Sequence, residues 1–274
     1  MATPLPPRNL GTGSPLSEQD WQGFFNEGYC IIKNLLSPEE VTENKKALKN
    51  LIRDARKLAS TLGPDFDGRV NHQGSLFVLK NNSQSQLQRL YRVCGCGSSD
   101  PTLLATSRHP KLLKAFADVI LSKTFEHIIC QFHPKEPGDS VSFQPHRDVE
   151  FRLHCDPNWQ DINGWGSYVV AVIAIDAAGP ENGGLQVVPG SHHNLTPESI
   201  VPACDNFDPD WKKKAISPRL QAGDALMMHP YLVHWSQANT SNQSRFSLLS
   251  GVCSMDSNHE NYPGDCTNEI IVVR

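Results

Sequence analysis

The 274-residue sequence lacks the features that mark membrane, secreted and nucleic-acid-binding proteins. No apolar stretch approaches the roughly 18 residues that a membrane span needs. The N-terminus has no charged start followed by an apolar segment, so we expect no secretory signal, and the last residues are not a Ser-Lys-Leu peroxisomal address. The 25 Lys and Arg are balanced by 29 Asp and Glu, and the only basic run is Lys212–Lys214. We therefore expect a cytoplasmic protein that binds neither membranes nor nucleic acid.

Cysteine is present, but not in the spacing of a metal-binding or disulfide framework. The eight cysteines are scattered, and only Cys94 and Cys96 lie close together. A Cys-x-Cys pair between glycines differs from the Cys-x-x-Cys pairs of zinc sites. We therefore expect reduced thiols in a reducing compartment.

The chain divides into a helical part and a β-rich part, which we predict to form one domain over residues 16–274. Residues 1–15 are rich in Pro and Gly, and we expect them to be flexible. Within the domain we predict mostly helical support over 16–125, a β core over 126–254 and a tail over 255–274.

Caps and apolar residues at helical spacing predict three helices in the first part. Ser17 caps the first helix, which ends at Gly28, and Ser37-Pro38 begins the second. Pro110–Leu121 has the apolar spacing of an amphipathic helix. Residues 65–107 are ambiguous, because they carry signals of both helix and strand.

From about residue 125 the sequence consists of short β-rich runs separated by turn signals. Closely spaced short strands of this kind are typical of a sandwich or barrel. The runs are His127–His133, Val141–Gln144, Tyr168–Ile175, Leu185–Val188, Ala225–Met228, Tyr231–Trp235 and Phe246–Val252.

His146 and Asp148 are two residues apart in a segment whose flanks suggest an extended strand. In a strand both side chains point to one face, where they can hold one metal ion. Two imidazoles and one carboxylate on one face are the ligands of non-haem iron(II) oxygenases. The third ligand must be a later histidine, and spacing alone does not choose between His229 and His234. The other candidates follow a turn or lie in a polar tail: His192, His193 and His259.

A series of short motifs runs along nearly the whole chain. They are Leu16-Ser17-Glu18-Gln19, Gly28-Tyr29, Leu36–Val41, Arg108–Leu113, His146-x-Asp148, Glu181–Leu185, Val188–His192, Gly223-Asp224, His229-Pro230, His234-x-Ser236, Asn239-x-Ser241 and Arg245. In this order they resemble the phytanoyl-CoA dioxygenase family of iron(II)/2-oxoglutarate oxygenases. In that family the distal iron histidine stands in the His-x-Ser element, and the cosubstrate-binding arginine follows eleven residues later. His234 and Arg245 keep this spacing and His229 does not, so the resemblance makes His146, Asp148 and His234 the metal ligands.

The resemblance also implies a fold and a cosubstrate. The family's fold is a double-stranded β-helix, a cupin-like jelly roll with helices packed outside, which agrees with the order of helices and strands. Its cofactor is iron(II), and its cosubstrates are 2-oxoglutarate and O2. Arg245 offers a planar fork for the distal carboxylate of 2-oxoglutarate, to which Ser236 or Ser247 can add a hydroxyl group. Gln131 and His133 share one face of a predicted strand and are further candidates for binding this cosubstrate.

The activity that the resemblance implies is oxidation of a C–H bond in a small molecule, with release of succinate and CO2. Hydroxylation is the expected outcome, and desaturation and ring closure are its variants. Two alternatives are a jelly-roll metalloprotein that does not activate O2 and an inactive relative that serves as a binding module. Arg245 disfavours the first, and the intact ligand set disfavours the second. We expect a monomer or a homodimer.

Candidate substrate residues surround or follow the metal motif. They are Phe143, Arg147, Glu150, Arg152 and His154. If the strand continues past the motif, Arg152 and His154 alternate in phase with Asp148 and can meet an anionic substrate. The segment after the motif differs from that of ectoine hydroxylases, and no peroxisomal address is found, so we expect neither ectoine nor phytanoyl-CoA as the substrate.

Overall fold

Two antiparallel sheets form the framework of the protein in a computed structural model that describes residues 5–6, 13–205 and 207–274. Most of the predicted flexible segment 1–15 lies outside the described residues. The strands are β1 (Tyr29–Ile32), β2 (Asp67–His72), β3 (Ser75–Asn81), β4 (Leu87–Cys94), β5 (Thr124–His133), β6 (Phe143–His146), β7 (Tyr168–Ala174), β8 (Leu185–Val187), β9 (Ala225–Met228), β10 (His234–Ser236), β11 (Ser247–Ser254) and β12 (Glu269–Val272). The α-helices are α1 (Glu18–Glu27), α2 (Pro38–Thr61), α3 (Pro101–Ser107), α4 (Pro110–Ile120), α5 (Asp148–Cys155) and α6 (Pro209–Lys214).

The larger sheet has the strand order β1-β9-β7-β11-β5-β4-β3-β2, with β12 paired to the start of β5. The smaller sheet has the order β6-β10-β8. Side chains of β8 pack against the larger sheet, where Leu185 and Val187 share an apolar cluster with Val172, Leu226 and Met228. Two antiparallel sheets packed in this way form the jelly-roll core that the resemblance implies.

Strand β7 shows how the larger sheet separates the helices from the site. All seven of its residues are buried, so both of its faces are covered. Val169, Ala171 and Ile173 belong to the cluster that includes the helices, whereas Val170 and Val172 line a cavity on the opposite face. Because successive strand residues alternate between faces, the apolar run of β7 packs against the helices on one face and lines the cavity on the other. The N-terminal helices therefore lie outside the barrel, as predicted.

The predicted helix boundaries at the N-terminus follow from local chemistry. The Ser17 hydroxyl accepts the backbone N–H of Asp20, whose carboxylate accepts the N–H of Ser17 in return. Gly28 ends α1 with φ of 87°, a left-handed conformation that favours glycine. A Cβ at Gly28 would also lie 2.7 Å from His192 Nδ1 and from Leu232, so this turn fits closely against the core.

The structure shows what the one ambiguous segment forms, and two other segments differ from the prediction. The ambiguous residues 65–107 form the antiparallel strands β2, β3 and β4, which extend the larger sheet, followed by α3. The segment after the metal motif is not a strand, because α5 begins at Asp148. The predicted tail over 255–274 adds strand β12 to β5. The helical part 16–125 thus also supplies strands to the sheet, and residue 125 is not a structural boundary.

A buried histidine links the larger sheet to the helical layer. His127 accepts the Arg108 Nε–H at its Nδ1 (3.3 Å), so its Nε2 carries the proton and donates to the Ser107 hydroxyl (2.7 Å). Burial, with the charge of Arg108, lowers the pKa of His127 to about 3 from 6.5. This ring is therefore neutral in the folded protein.

We expect His127 to contribute to acid unfolding. Its pKa is lower in the folded state than in the unfolded state, so the unfolded chain binds the proton first as pH falls below 6.5. Stability present above pH 6.5 is therefore lost as pH falls toward 3, by about 2 kcal/mol at pH 5. Urea unfolding of the wild-type protein and of His127→Gln at pH 8 and pH 5 measures this contribution. The loss of unfolding free energy between pH 8 and pH 5 should be smaller in the variant by about 2 kcal/mol. An equal loss in both proteins would contradict the prediction.

Candidate metal centre

The smaller sheet brings two histidines side by side. His146 ends β6 and His234 begins β10, and the two residues are direct partners in the antiparallel register. Their ring centroids are 4.2 Å apart. Asp148 lies in the first turn of α5, where its Oδ1 is 3.6 Å from His234 Nε2 and 4.0 Å from His146 Nε2. The ligand atoms of all three residues lie within 4.8 Å of one another. A single metal ion can therefore bind all three at the junction of a strand pair and a helix start.

Backbone contacts orient both imidazoles for metal binding. The Nδ1 atom of His146 is 2.6 Å from the carbonyl oxygen of Gln144, and that of His234 is 3.0 Å from the carbonyl oxygen of Leu232. Each Nδ1 therefore carries the proton and donates it to a carbonyl group, which leaves Nε2 with a free lone pair facing Asp148. Asp148 Oδ2 is buried without a hydrogen-bond partner. This unpartnered carboxylate oxygen beside two ligand-ready nitrogens fits a divalent metal ion.

The electrostatics of the three groups also fit a cation. Burial, with the neighbouring charge of His234, lowers the pKa of His146 to about 4, and burial lowers that of His234 to about 4. Both imidazoles are therefore neutral, as metal ligands must be. Burial raises the pKa of Asp148 to about 6, so the carboxylate lacks a positive partner, which a bound cation supplies.

The three ligands face a cavity between the two sheets. Its walls combine apolar side chains with a few polar and charged groups, as is common for small-molecule sites. The lining residues are Arg92, Ile129, Gln131, His133, Phe143, His146, Asp148, Phe151, Arg152, Cys155, Tyr168, Val170, Val172, Leu185, Met228, His234, Ser236, Arg245, Leu249 and Tyr262.

Arg245 and both candidate serines lie in this cavity or beside it. Arg245 is buried and donates from Nη1 to the Ser247 hydroxyl (2.8 Å), which orients the guanidinium group. Its Nε is buried without a hydrogen-bond partner, so a donor remains free. Ser236 lines the cavity and accepts a hydrogen bond from Lys135 Nζ (2.8 Å).

Gln131 and His133 lie near the end of β5 and share one face of the strand, as predicted. Gln131 Oε1 accepts hydrogen bonds from the Cys94 thiol (3.0 Å) and from the Tyr262 hydroxyl (3.2 Å), and its Nε2 contacts the ring of His133. Burial and neighbouring positive charges lower the pKa of His133 well below its usual value, so the ring is neutral. His133 also stacks on Phe143, with ring centroids 5.1 Å apart.

The five candidate substrate residues do not share one location. Phe143 and Arg152 line the cavity. Arg147, Glu150 and His154 are not among the described residues that line it, because α5 replaces the expected strand and turns them away. Glu150 Oε1 accepts hydrogen bonds from Arg147 and from the backbone N–H of Ala203, and the Arg147 guanidinium lies over Trp211. His154 is exposed.

His229, the rival third ligand, lies apart from the metal ligands. Its ring packs against Phe24 and His192, with centroid distances of 5.8 and 4.8 Å, and its Nδ1 accepts the backbone N–H of Tyr231. In the part of the chain that the structure describes, the group of candidate ligands that can share one ion contains His234 instead.

Several residues of the site were not singled out from the sequence. Arg92 comes from β4 and Tyr262 from the predicted tail, and both line the cavity. Lys135 is fully buried beside Ser236, and it also donates to the carbonyl groups of Gly183 and Gln237. Burial, with the charge of Arg245, lowers the pKa of Lys135 to about 7. A single basic residue after a strand carries no sequence signal of such a role.

Two neutral imidazoles and one carboxylate at the mouth of a jelly-roll cavity define a class of protein, the mononuclear non-haem metal oxygenases. The family model described as "Phytanoyl-CoA dioxygenase (PhyH)" matches residues 24–247. The chain therefore belongs to the phytanoyl-CoA dioxygenase family, whose members are iron(II)/2-oxoglutarate oxygenases, and the resemblance that its motifs show is confirmed.

Two relatives agree with this membership, and two solved structures have a similar fold. The phytanoyl-CoA dioxygenase domain-containing protein 1 of Danio rerio is 25% identical over 269 residues, covering 84% of this chain and 87% of that protein. The L-proline trans-4-hydroxylase of Streptomyces griseoviridis is 26% identical over 221 residues, covering 72% and 76%. The fold is similar to that of EctD from S. alaskensis with bound Fe, with a TM-score of 0.71, 17% identity and coverage of 94% and 84%. It is also similar to the carbocyclase SnoK from nogalamycin biosynthesis, with a TM-score of 0.69, 19% identity and coverage of 96% and 100%. These likenesses confirm the jelly-roll fold.

Proposed function

We propose that this protein oxidises a C–H bond of a small-molecule metabolite in an iron(II)- and 2-oxoglutarate-dependent reaction. The observation that carries the proposal is the placement of His146, Asp148 and His234 in one cavity with Arg245. When bound, iron(II) and 2-oxoglutarate supply the power to oxidise a C–H bond with O2, giving succinate and CO2. The protein's residues hold these groups, orient the substrate and exclude water.

Each group of residues has a separate task in this proposal. His146, Asp148 and His234 would hold the metal ion, since their ligand atoms lie within 4.8 Å of one another. Arg245, held by Ser247, binds the distal carboxylate of 2-oxoglutarate with its free donor. Ser236, Gln131 and His133 complete the polar wall of that pocket. Apolar side chains such as Val170 and Leu249 keep water away from the reacting carbon.

The two alternative readings are less well supported. A jelly-roll metalloprotein without O2 activation has no use for a buried arginine with a free donor beside the metal ligands. A binding module has no need to keep three ligand atoms within 4.8 Å of one another. Hydroxylation is the expected outcome, and the name of the S. griseoviridis relative, a proline hydroxylase, is consistent with it.

None of the described helices is both long and apolar enough to cross a membrane. A cytoplasmic location and a monomeric or homodimeric state stay predictions. All eight cysteines are free thiols, which fits a reducing compartment.

The proposal is tested by incubating the purified protein in air with iron(II), 2-oxoglutarate and a metabolite library. We expect succinate to form with at least one metabolite, together with a product heavier by one oxygen atom or lighter by two hydrogen atoms. Anaerobic addition of iron(II) and 2-oxoglutarate should also give a weak visible absorption band. Normal iron binding without either signal would overturn the proposal.

A further inference from the structure

The cavity carries more positive charge than its proposed cofactors can neutralise. Its charged lining residues are the arginines Arg92, Arg152 and Arg245 and the single acid Asp148. Iron(II) and the 2-oxoglutarate dianion cancel each other, and Asp148 offsets one guanidinium charge. Two guanidinium charges remain inside an otherwise largely apolar cavity, where an unpaired charge is strongly unfavourable.

Of the two unpaired arginines, Arg152 is the better candidate for binding an anion. It is only 3% exposed, and both its Nε and its Nη1 are buried without a hydrogen-bond partner. The acids close to it in sequence, on and after α5, are engaged elsewhere, including Glu150, whose Oε1 accepts hydrogen bonds from Arg147 and from the backbone N–H of Ala203. Asp148 belongs to the metal site, and Asp156 accepts the backbone N–H groups of Asn158 and His259 at 3.1 and 2.7 Å. Within the described residues, no acid lies within ion-pair distance of the Arg152 guanidinium.

Arg92 adds a second cation from the larger sheet. It is half-buried on β4, and its Nε is buried without a hydrogen-bond partner. Both arginines line the cavity together with Tyr168 and Tyr262. The cavity wall therefore carries two cations with unpartnered donors.

Part of the wall of the same cavity is apolar. Ile129, Val170 and Leu249 line it, and Phe151 stands at the cavity with 56% of its surface exposed. An exposed phenylalanine beside a metal-ligand histidine is a surface that an apolar part of a ligand can cover.

We propose that the substrate is a small organic anion whose carboxylate or phosphate group pairs with Arg152, supported by Arg92, while its apolar part lies along Ile129, Val170 and Leu249. Such a ligand satisfies the two free donors of Arg152 and balances the excess positive charge. This inference rests on the proposed function, because the charge balance assumes that iron(II) and 2-oxoglutarate occupy the same cavity.

The test uses anaerobic protein saturated with iron(II) and 2-oxoglutarate, so that Arg245 is already paired. Thermal unfolding and binding titrations are run with three matched probe pairs: hexanoate and hexanamide, benzoate and benzamide, and hexyl phosphate and hexanol. In the wild-type protein we expect at least one anion to bind at least about tenfold more tightly than its uncharged partner. Comparison of the two carboxylate probes with the phosphate probe shows which anion the site prefers.

Variants of Arg152 test whether this residue causes the preference for the anion over its uncharged partner. Arg152→Gln should weaken binding of the preferred anion by about 10- to 100-fold and leave the uncharged partner within about twofold. Arg152→Lys should restore part of the preference because it keeps the charge. Arg219→Gln is the control for loss of an arginine charge, since this exposed arginine pairs with Glu181 and does not line the cavity. Arg152→Met should unfold at the same temperature as the wild type or a higher one when no anion is present, because it removes an unpaired buried charge.

The outcomes separate this inference from the proposed function. If the visible band of iron(II) and 2-oxoglutarate fails to form in the wild type, the proposed function itself fails. If the band forms, the anion site alone is overturned when the anions bind no better than their uncharged partners, or when Arg152→Gln keeps the preference. A marked loss of stability in anion-free Arg152→Met would also overturn it, because Arg152 would then have a structural partner.

Discussion

Replacing Asp148 with Ala should lower 2-oxoglutarate turnover by more than about a hundredfold, and replacing His234 with Ala should weaken iron(II) binding to a similar degree. Loss of a hydrogen-bond partner of a metal ligand already reduces metal affinity or activity by about 10- to 100-fold. Loss of a ligand itself removes a direct bond to the metal. In addition, Asp148 supplies the only negative charge among the residues that line the cavity. Succinate release measures the first effect, and titration of the anaerobic protein with iron(II) measures the second.

His229→Ala provides the matched control for this prediction. His229 is buried and packs against Phe24, so its removal should reduce stability but leave iron(II) binding unchanged once folding is confirmed. The opposite result, in which His229→Ala loses iron and His234→Ala keeps it, would show that the ligand assignment is wrong.

Local chemistry accounts for the parts of the fold that could be predicted from the sequence. The reciprocal hydrogen bonds of Ser17 and Asp20 and the positive φ of Gly28 depend on only a few neighbouring residues, so they were predictable. The same holds for β9, because its apolar run is bounded by turn residues and is too short for a helix.

The segment after the metal motif could not be predicted, because tertiary contacts determine it. Alternating side chains around Asp148 suggest a strand, but α5 is stabilised by a backbone hydrogen bond from Val149 to Pro230 and by burial of Val149. An eight-residue helix of this kind depends on its surroundings rather than on its own propensity. As a result Arg152 reaches the cavity and His154 does not.

The cavity wall was only partly predictable for a related reason. Arg92 and Tyr262 are separated by 170 positions in the sequence and meet only because β4 and the C-terminal segment both lie beside β5. No local pattern carries that information. The register of β6 against β10 is also a long-range property, yet the spacing of His234 and Arg245 in the family's motifs selected the histidine that pairs with His146 in this register.

Replacing Arg245 with Gln should raise the dissociation constant for 2-oxoglutarate by about 30- to 1000-fold while iron(II) binding stays within about threefold of the wild type. The guanidinium group is buried and held by Ser247, and its free Nε donor has no partner in the protein other than the proposed carboxylate. Glutamine keeps part of the length and polarity of the side chain but removes the charge and the planar fork. The measurement is the intensity of the visible band as 2-oxoglutarate is added to the anaerobic iron(II) protein.

Two variants show whether the effect comes from carboxylate binding. Arg219 is exposed and pairs with Glu181, so Arg219→Gln removes one arginine charge from the surface and should leave the titration unchanged. Ser247→Ala should weaken 2-oxoglutarate binding by about fivefold to tenfold, because Arg245 keeps its charge but loses the hydrogen bond that orients it. If Arg245→Gln binds 2-oxoglutarate as the wild type does, the distal carboxylate must lie elsewhere in the cavity. Arg92 and Arg152 are then the remaining arginines that can hold it.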